Sequence, residues 1–370
     1  MTGIVVSGRT EVPVRNLWLL MVYASKLYQD NESLRNGGVE HNPDNLLDLV
    51  AEILVTAVER RMQRSLGRDY RARADSLTRV RGQIDVLATE TRQLLSRGRV
   101  ACRFTELSVD NPRNRLMRTA LAIASARVRD RGLAQRSRQL AEILVQSGVS
   151  HRPIGRAEAE SVSLGRNDFA DAESTDAARL MLAMDIPTEN ADGRRRRSPL
   201  RDVEEIRRLY EAAVRGFYRA TLSPAWKVYP GEKIHRWPVE SHTAGARAVL
   251  PVMRTDVVLE TAGRRIIVET KFADALKSGQ HGSVKLSRNH IFQLYAYVQS
   301  QTGHDSLSTT AEGVLLYPTV AQHLDEAVVI QGHHYRFMTV DLAGNASDIR
   351  RRLMGVVGTT IQVSTGPGGS

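Results

Sequence analysis

Residues 252–272 constrain the chain most. They read Val252-Met253-Arg254-Thr255-Asp256-Val257-Val258-Leu259-Glu260, then Thr261-Ala262-Gly263, then Arg264-Arg265-Ile266-Ile267-Val268-Glu269-Thr270-Lys271-Phe272. Two β-rich runs around a short glycine-containing turn predict a hairpin. With Ala262-Gly263 as a two-residue loop, Thr261 faces Arg264, and counting outward sets Asp256 opposite Glu269. Partners on one face of such a pair have Cβ atoms roughly 4.5–5.5 Å apart. Lys271 lies two residues beyond Glu269 and shares its face. The apolar run Ile266-Ile267-Val268 buries the second strand, so Glu269 is not expected to be a loosely solvated acid.

Two carboxylates this close repel, by about 3 kcal/mol at an effective dielectric of about 20. A shared proton, the adjacent lysine or a divalent cation would each offset the repulsion. Paired carboxylate oxygens, completed by water and phosphate, suit Mg²⁺ or the similar Mn²⁺. Lys271 cannot ligate a cation while charged, but it can orient an attacking water and stabilise charge developing on phosphorus. Asp256, Glu269 and Lys271 therefore have the chemistry of metal-assisted phosphodiester hydrolysis. The bare spacing also describes a salt bridge on a strand pair, but the register and the buried strand favour the catalytic reading. A predicted helix over 289–299 carries Gln293 and Tyr297 one turn apart, where they can position water or phosphate or serve as ordinary packing. Glu211, on a predicted amphipathic helix over 202–222, either reaches the metal as a further ligand or is a solvated helix charge.

A chain of 370 residues suggests two domains. The arginine-rich run Asp192-Gly193-Arg194-Arg195-Arg196-Arg197-Ser198-Pro199 has no apolar anchor. It sets the expected boundary, giving an N-terminal domain over 1–195, a second over 196–358 and a flexible tail over 359–370. The run Arg194–Arg197 is either a solvated loop or a phosphate-contacting one. The N-terminal half is helix-rich, with helices expected within 13–28 (starting near Asn16), 45–62, 114–129 and 133–146, and short strands near 79–85 and 100–104. The net charge of +11, mostly arginine, fits either a polyanionic partner such as DNA or a generic basic surface. A single cysteine, Cys102, excludes an internal disulfide and a cysteine zinc site. The opening residues show no basic flank followed by a long apolar run. The expectation is a cytoplasmic protein without signal peptide or membrane span. No phosphate-binding P-loop sequence occurs, so the chain is not expected to hydrolyse nucleotide by itself. His333-His334 reads as a strand-end pair, and Arg15-Asn16 either contacts a partner or caps and packs a helix.

Seven segments in order resemble the McrC family, the nuclease subunits of the McrBC modified-cytosine-dependent restriction system. They are Val12-Pro13-Val14-Arg15-Asn16-Leu17 through Tyr23-Ala24, Arg81-Gly82-Gln83-Ile84-Asp85, Asn114-Arg115-Leu116, Arg254-Thr255-Asp256, Val268-Glu269-Thr270-Lys271, Gln293-Leu294-Tyr295 and Leu316-Tyr317-Pro318. Thr255 stands where the family's motif often has proline, Glu269 where it often has aspartate, and Trp18-Leu19 where an aromatic pair is expected. The resemblance implies a helix-rich α+β N-terminal domain followed by a PD-(D/E)xK nuclease domain, a mixed sheet flanked by helices. It implies Asp256, Glu269 and Lys271 as the catalytic motif, with Gln293 matching the following helix. It also implies a McrB-like AAA+ GTPase ring as partner, stimulated through the N-terminal domain, and double-stranded DNA as substrate. The alternative is a DNA-binding adaptor that activates the ring without cutting.

Overall fold

The computed structural model describes residues 3–7, 10–35, 39–41, 45–166, 168–185, 203–230, 234–235, 237, 239–273, 275–278, 284–303, 305–319 and 323–358. The arginine run at 194–197, the expected boundary around it and the tail over 359–370 lie outside the described residues.

The chain opens with a hairpin, β1 (Gly3–Ser7) and β2 (Thr10–Pro13), followed by α1 (Val14–Ala24), α2 (Lys26–Asp30) and the short α3 (Val39–His41). Where the sequence suggests one helix, Ser25 divides it. Its hydroxyl donates to Val22 O at 2.6 Å and accepts from Tyr28 N at 3.1 Å, so it closes one helix and caps the next.

The middle of the chain holds α4 (Leu46–Gln63), β3 (Asp69–Leu77), β4 (Gln83–Ile84), α5 (Val86–Thr91), β5 (Val100–Ser108), α6 (Pro112–Arg127), α7 (Arg131–Gln146), α8 (Arg156–Ser161) and α9 (Ala172–Met184). The strands form an antiparallel sheet in the order β3-β5-β4. Asn111 caps α6 ahead of Pro112, and Asp130 caps α7. Gly82 has a φ of +69°, and a Cβ there would meet Arg103 O at 2.4 Å, so only glycine fits this approach of β4 to β5.

The last part runs α10 (Val203–Thr221), β6 (Lys227–Pro230), β7 (Ile234–His235), α11 (Ala246–Val249), β8 (Met253–Arg254), β9 (Val257–Glu260), β10 (Arg265–Thr270), β11 (Leu276–Ser278), β12 (Val284–Leu286), α12 (Arg288–Gln299), β13 (Glu312–Thr319), β14 (Asp325–Ile330), β15 (His333–Asp341) and α13 (Ala346–Met354). Six strands form one mixed sheet in the order β14-β15-β13-β10-β9-β6. The pairs β10–β13 and β13–β15 are parallel; the other three are antiparallel. Strand β10 therefore lies inside the sheet, and every residue of it is buried. Ile267, Val258, Leu315, Tyr335 and Phe337 build a core with Leu294, Tyr297 and Val298 of α12. Each fully buried apolar side chain of this kind contributes about 1.5–3 kcal/mol.

The structure divides the chain differently from the expected break at 195/196. Residues 47–185 form one compact unit, and residues 1–46 join 186–370 in the other. The reason is packing between segments far apart in sequence. Asn16, fully buried, donates from Nδ2 to Leu342 O at 2.6 Å and Gly344 O at 2.9 Å. Arg350 of α13 pairs with Glu40 at 3.0 Å, and the Tyr23 ring packs at a tilt against Phe217 of α10 with centroids 5.1 Å apart. Asn16 is thus an internal anchor. No helix among the described residues is long and apolar enough to cross a membrane.

The crossing of α1 and α10 turns on Gly216, where an added Cβ would stand 2.0 Å from Tyr23 O. Glycine to alanine inside a helix ordinarily gains about 1 kcal/mol. Here the backbone clash reverses the sign. Gly216→Ala is expected to lower stability by about 1–3 kcal/mol, read as a fall in the urea midpoint of the full chain. An unchanged or higher midpoint would refute this account of the crossing.

Candidate active site

The hairpin β9–β10 has the predicted register. Glu260 pairs with Arg265 and Val257 with Val268, while Thr261 N donates to Arg264 O at 2.8 Å across the Ala262-Gly263 loop. The ladder ends at Val257 and Val268, one step short of Asp256 and Glu269. The backbone bends at Asp256, and its carboxylate does not simply face Glu269. Oδ2 accepts from Thr270 N at 2.7 Å and from Thr270 Oγ1 at 2.6 Å. Thr270 thus fixes Asp256. Its place inside the Glu-Thr-Lys run was the available signal, overlooked because strand alternation points it away from Glu269.

Glu269 and Lys271 are 2% and 7% exposed. Lys271 Nζ donates to Glu269 Oε1 at 2.6 Å and to Gln293 Oε1 at 2.7 Å. Gln293 Nε2 donates in turn to Tyr297 OH at 2.7 Å, so the i, i+4 pair on α12 is a hydrogen-bonded relay. Lys271 N donates to Leu316 O at 3.0 Å, tying the chain beyond β10 to β13. One buried oxygen, Glu269 Oε2, has no hydrogen-bond partner among the described residues. Burial first, and then the charge of Asp256, push the Glu269 carboxyl up to about 8 against the opposing pull of Lys271. Burial also raises Tyr297, with the charges of Glu269 and Asp256 adding to it and the Gln293 contact opposing.

Glu211 is held differently. It forms an ion pair with Arg215 one turn along α10, and Arg215 Nε donates to Asp256 O at 3.4 Å. Burial and then the charge of Asp256 raise the Glu211 carboxyl, so the two acids share a neighbourhood. Among the described residues, however, no three His, Cys, Asp or Glu side chains group closely enough to hold a metal ion. Glu211, expected as a further ligand beside Asp256 and Glu269, is here ion-paired with Arg215. The i, i+4 spacing of Glu211 and Arg215 was visible in the sequence. Of the expected residues, Asp256, Glu269, Lys271 and Gln293 come together. His333 begins β15, with Nδ1 2.8 Å from Ala311 O, a strand-end position as expected.

A family model described as the McrBC 5-methylcytosine restriction system component matches residues 8–318. The chain belongs to this family. The type IV methyl-directed restriction enzyme EcoKMcrBC of Escherichia coli strain K12 is 23% identical to this McrBC family member over 348 residues, 93% of this chain and 97% of the relative. Two solved structures are also similar. A chain of the refined half-complex from a tetradecameric assembly of Thermococcus gammatolerans McrB AAA+ hexamers with bound McrC is 14% identical with a TM-score of 0.43, covering 93% of this chain and 76% of that one. A chain of the cryo-EM structure of the T. gammatolerans McrBC complex is 17% identical with a TM-score of 0.32, covering 45% and 50%.

The raised Glu269 carboxyl has a consequence for stability. Between its ordinary value of 4.5 and about 8 the folded chain holds a proton that the unfolded chain releases. Stability from this group is then greatest at low pH and is lost as pH rises through that window. Without divalent cation, Glu269→Gln is expected to gain in melting temperature relative to wild type as pH goes from 5 to 9, by several degrees. A difference independent of pH would refute the shift.

Proposed function

We propose that this chain is the DNA-cutting subunit of a modification-dependent restriction complex, a metal-dependent endonuclease of the PD-(D/E)xK type that works with an AAA+ GTPase ring. The observation that carries the reading is the buried Glu269–Lys271 pair beside Asp256, at the end of a strand enclosed by the sheet. A buried ion pair seldom stabilises a fold by itself, since desolvation consumes most of its Coulomb energy. A third charge next to it is costlier still. Such a cluster is expected where chemistry requires it.

The donor set fits a hard divalent cation. Glu269 Oε2 is buried without a partner, and Asp256 Oδ2 is committed to Thr270, which leaves Oδ1 for a ligand. Asp256 and Glu269 would hold Mg²⁺ or Mn²⁺ through these oxygens, with water and phosphate completing the shell. When bound, the cation supplies Lewis acidity at the phosphodiester. The protein's own groups do the positioning. An ammonium has three donors, and Lys271 spends two on Glu269 and Gln293. The third is available to a non-bridging phosphate oxygen or to the incoming water, where it offsets developing negative charge. Tyr297 fixes Gln293, which fixes Lys271. Arg215 steadies the backbone at Asp256.

The partner ring follows from kinship rather than geometry. The family is one of restriction-system components, and a T. gammatolerans relative of this kind is a complex of McrB AAA+ hexamers with bound McrC. A cytoplasmic location goes with that role.

Reconstitution with the partner GTPase, GTP, Mg²⁺ and methylated duplex DNA tests the proposal. Asp256→Ala and Lys271→Ala are each expected to reduce cleavage by on the order of 100-fold or more, while stimulation of GTP hydrolysis persists. Wild-type cleavage by either variant would overturn the assignment. Stimulation by the unmodified chain without cleavage under any divalent cation would favour an adaptor.

A further inference from the structure

The middle unit carries all its positive charge as arginine, 24 residues over 47–185 against 18 acidic ones and no lysine. Many of those described are matched by acids, among them Arg113, which with Arg118 is one of the two that are buried. Arg113 is bound by Asp69, Asp168 and Asp171, Arg115 by Asp110, and Arg136 by Glu52 and Glu59. Arg118 is the exception. It is 8% exposed, on α6, and the hydrogen bond its guanidinium makes is to Thr119 Oγ1 at 3.2 Å. Its Nε is buried without a partner. No carboxylate contributes to its titration, which burial alone lowers.

Arginine cannot shed its proton to escape burial, as a lysine would. A buried guanidinium with no anion beside it is therefore an unbalanced charge. Arg118 also lines two adjoining grooves of 440 and 330 Å³, which share Arg118, Ala122 and His151. Both volumes fall within the range of small-ligand sites, roughly 300–1,000 Å³. The first groove is walled by Arg127 and Asp185, which pair with each other at 2.8 Å. The second carries Arg138 and Glu142 on exposed positions. Neither acid pairs with Arg118. The grooves thus present an unmatched guanidinium at the base, with His151 and Arg138 as further donors.

We propose that the Arg118 groove binds a phosphate group, either from a DNA backbone or from a free phosphate compound. The planar fork of the guanidinium matches two phosphate oxygens. The site is built from residues of the middle unit alone and does not depend on the nuclease reading.

The test uses the full chain without divalent cation. Thermal unfolding is compared in inorganic phosphate and in chloride of matched ionic strength, for wild type, Arg118→Met and Arg138→Ala. Phosphate should raise the wild-type melting temperature and leave Arg118→Met unmoved. Arg138→Ala should require several-fold more phosphate for the same rise. Methionine removes an unmatched buried charge, so Arg118→Met in chloride should melt no lower than wild type. If that variant fails to fold, the phosphate dependence of Arg138→Ala decides. A second arm follows binding of a short DNA duplex across salt concentrations. A log–log slope reduced by about 1 in Arg118→Met assigns the site to DNA phosphate. Unchanged DNA binding with the phosphate response lost assigns it to a free phosphate compound. An equal phosphate response in wild type and both variants overturns the proposal, as does no response in wild type with DNA binding unaffected.

Discussion

The ion pair between Glu269 and Lys271 dictates much of the architecture around it. Both side chains are nearly inaccessible, and their charged atoms stand 2.6 Å apart. Taking both groups out of water in charged form costs several kcal/mol each, and the Glu269 carboxyl pushed up to about 8 carries that cost as a held proton; good geometry and further hydrogen bonds offset part of it. The surrounding elements supply that geometry. Strands β9 and β13 hold β10 from both sides, and α12 crosses the face that carries Glu269 and delivers Gln293 to Lys271. At the opposite end of β10, Arg265 is only 4% exposed and is clamped by Glu260 and Asp305. The strand is thus anchored by charges at both ends and by branched apolar side chains between them.

The geometry of the candidate site was legible where its constraints are local. A two-residue loop fixes the β9–β10 register, and the register fixes which residues of the two strands are neighbours. The relay from Gln293 to Tyr297 follows in the same way from helical periodicity. What could not be read is the departure from regularity at Asp256. Alternation assumes a continuing ladder, and the ladder stops one residue earlier, which turns the carboxylate to Thr270. Glu211 was left between two readings, ligand or helix charge, and the structure shows its contact with Arg215. A helix position says which neighbours are one turn away, and Arg215 was the nearer partner.

Long-range organisation was legible only in part. The parallel partner of β10, β13, lies 46 residues further along (Ile266 opposite Glu312), β15 joins beyond it, and no local pattern announces which strands will meet. The same limit applies to the division of the chain. Asn16 binds carbonyls 326 and 328 residues away, so composition near 191–200 could not reveal that the first 46 residues fold with the last part. One indirect sign existed. Gly216 interrupts an otherwise strong amphipathic helix, and a glycine inside such a helix commonly indicates close approach of another backbone, here that of Tyr23.

The basic composition carries less information about DNA than the net charge suggests. Many arginines of the middle unit are consumed inside it, and the segments there that resemble the family have structural duties. Gly82 permits the approach of β4 to β5, and Asp85 caps α5 while accepting from Arg103 at 2.6 Å. Asn114 binds Gly67 O and Val109 O at 2.9 and 2.7 Å, closing the turn ahead of α6. Arg115 is paired with Asp110, which holds that carboxyl down at about 2, chiefly through the hydrogen bond from Arg115. An arginine fixed in this way neutralises its partner and adds little to an external field. The charge that can act on a polyanion is therefore what remains after internal pairing. A sequence count overstates it, and only the folded pairing pattern separates an arginine that holds the unit together from one, like Arg118, that lacks an anion.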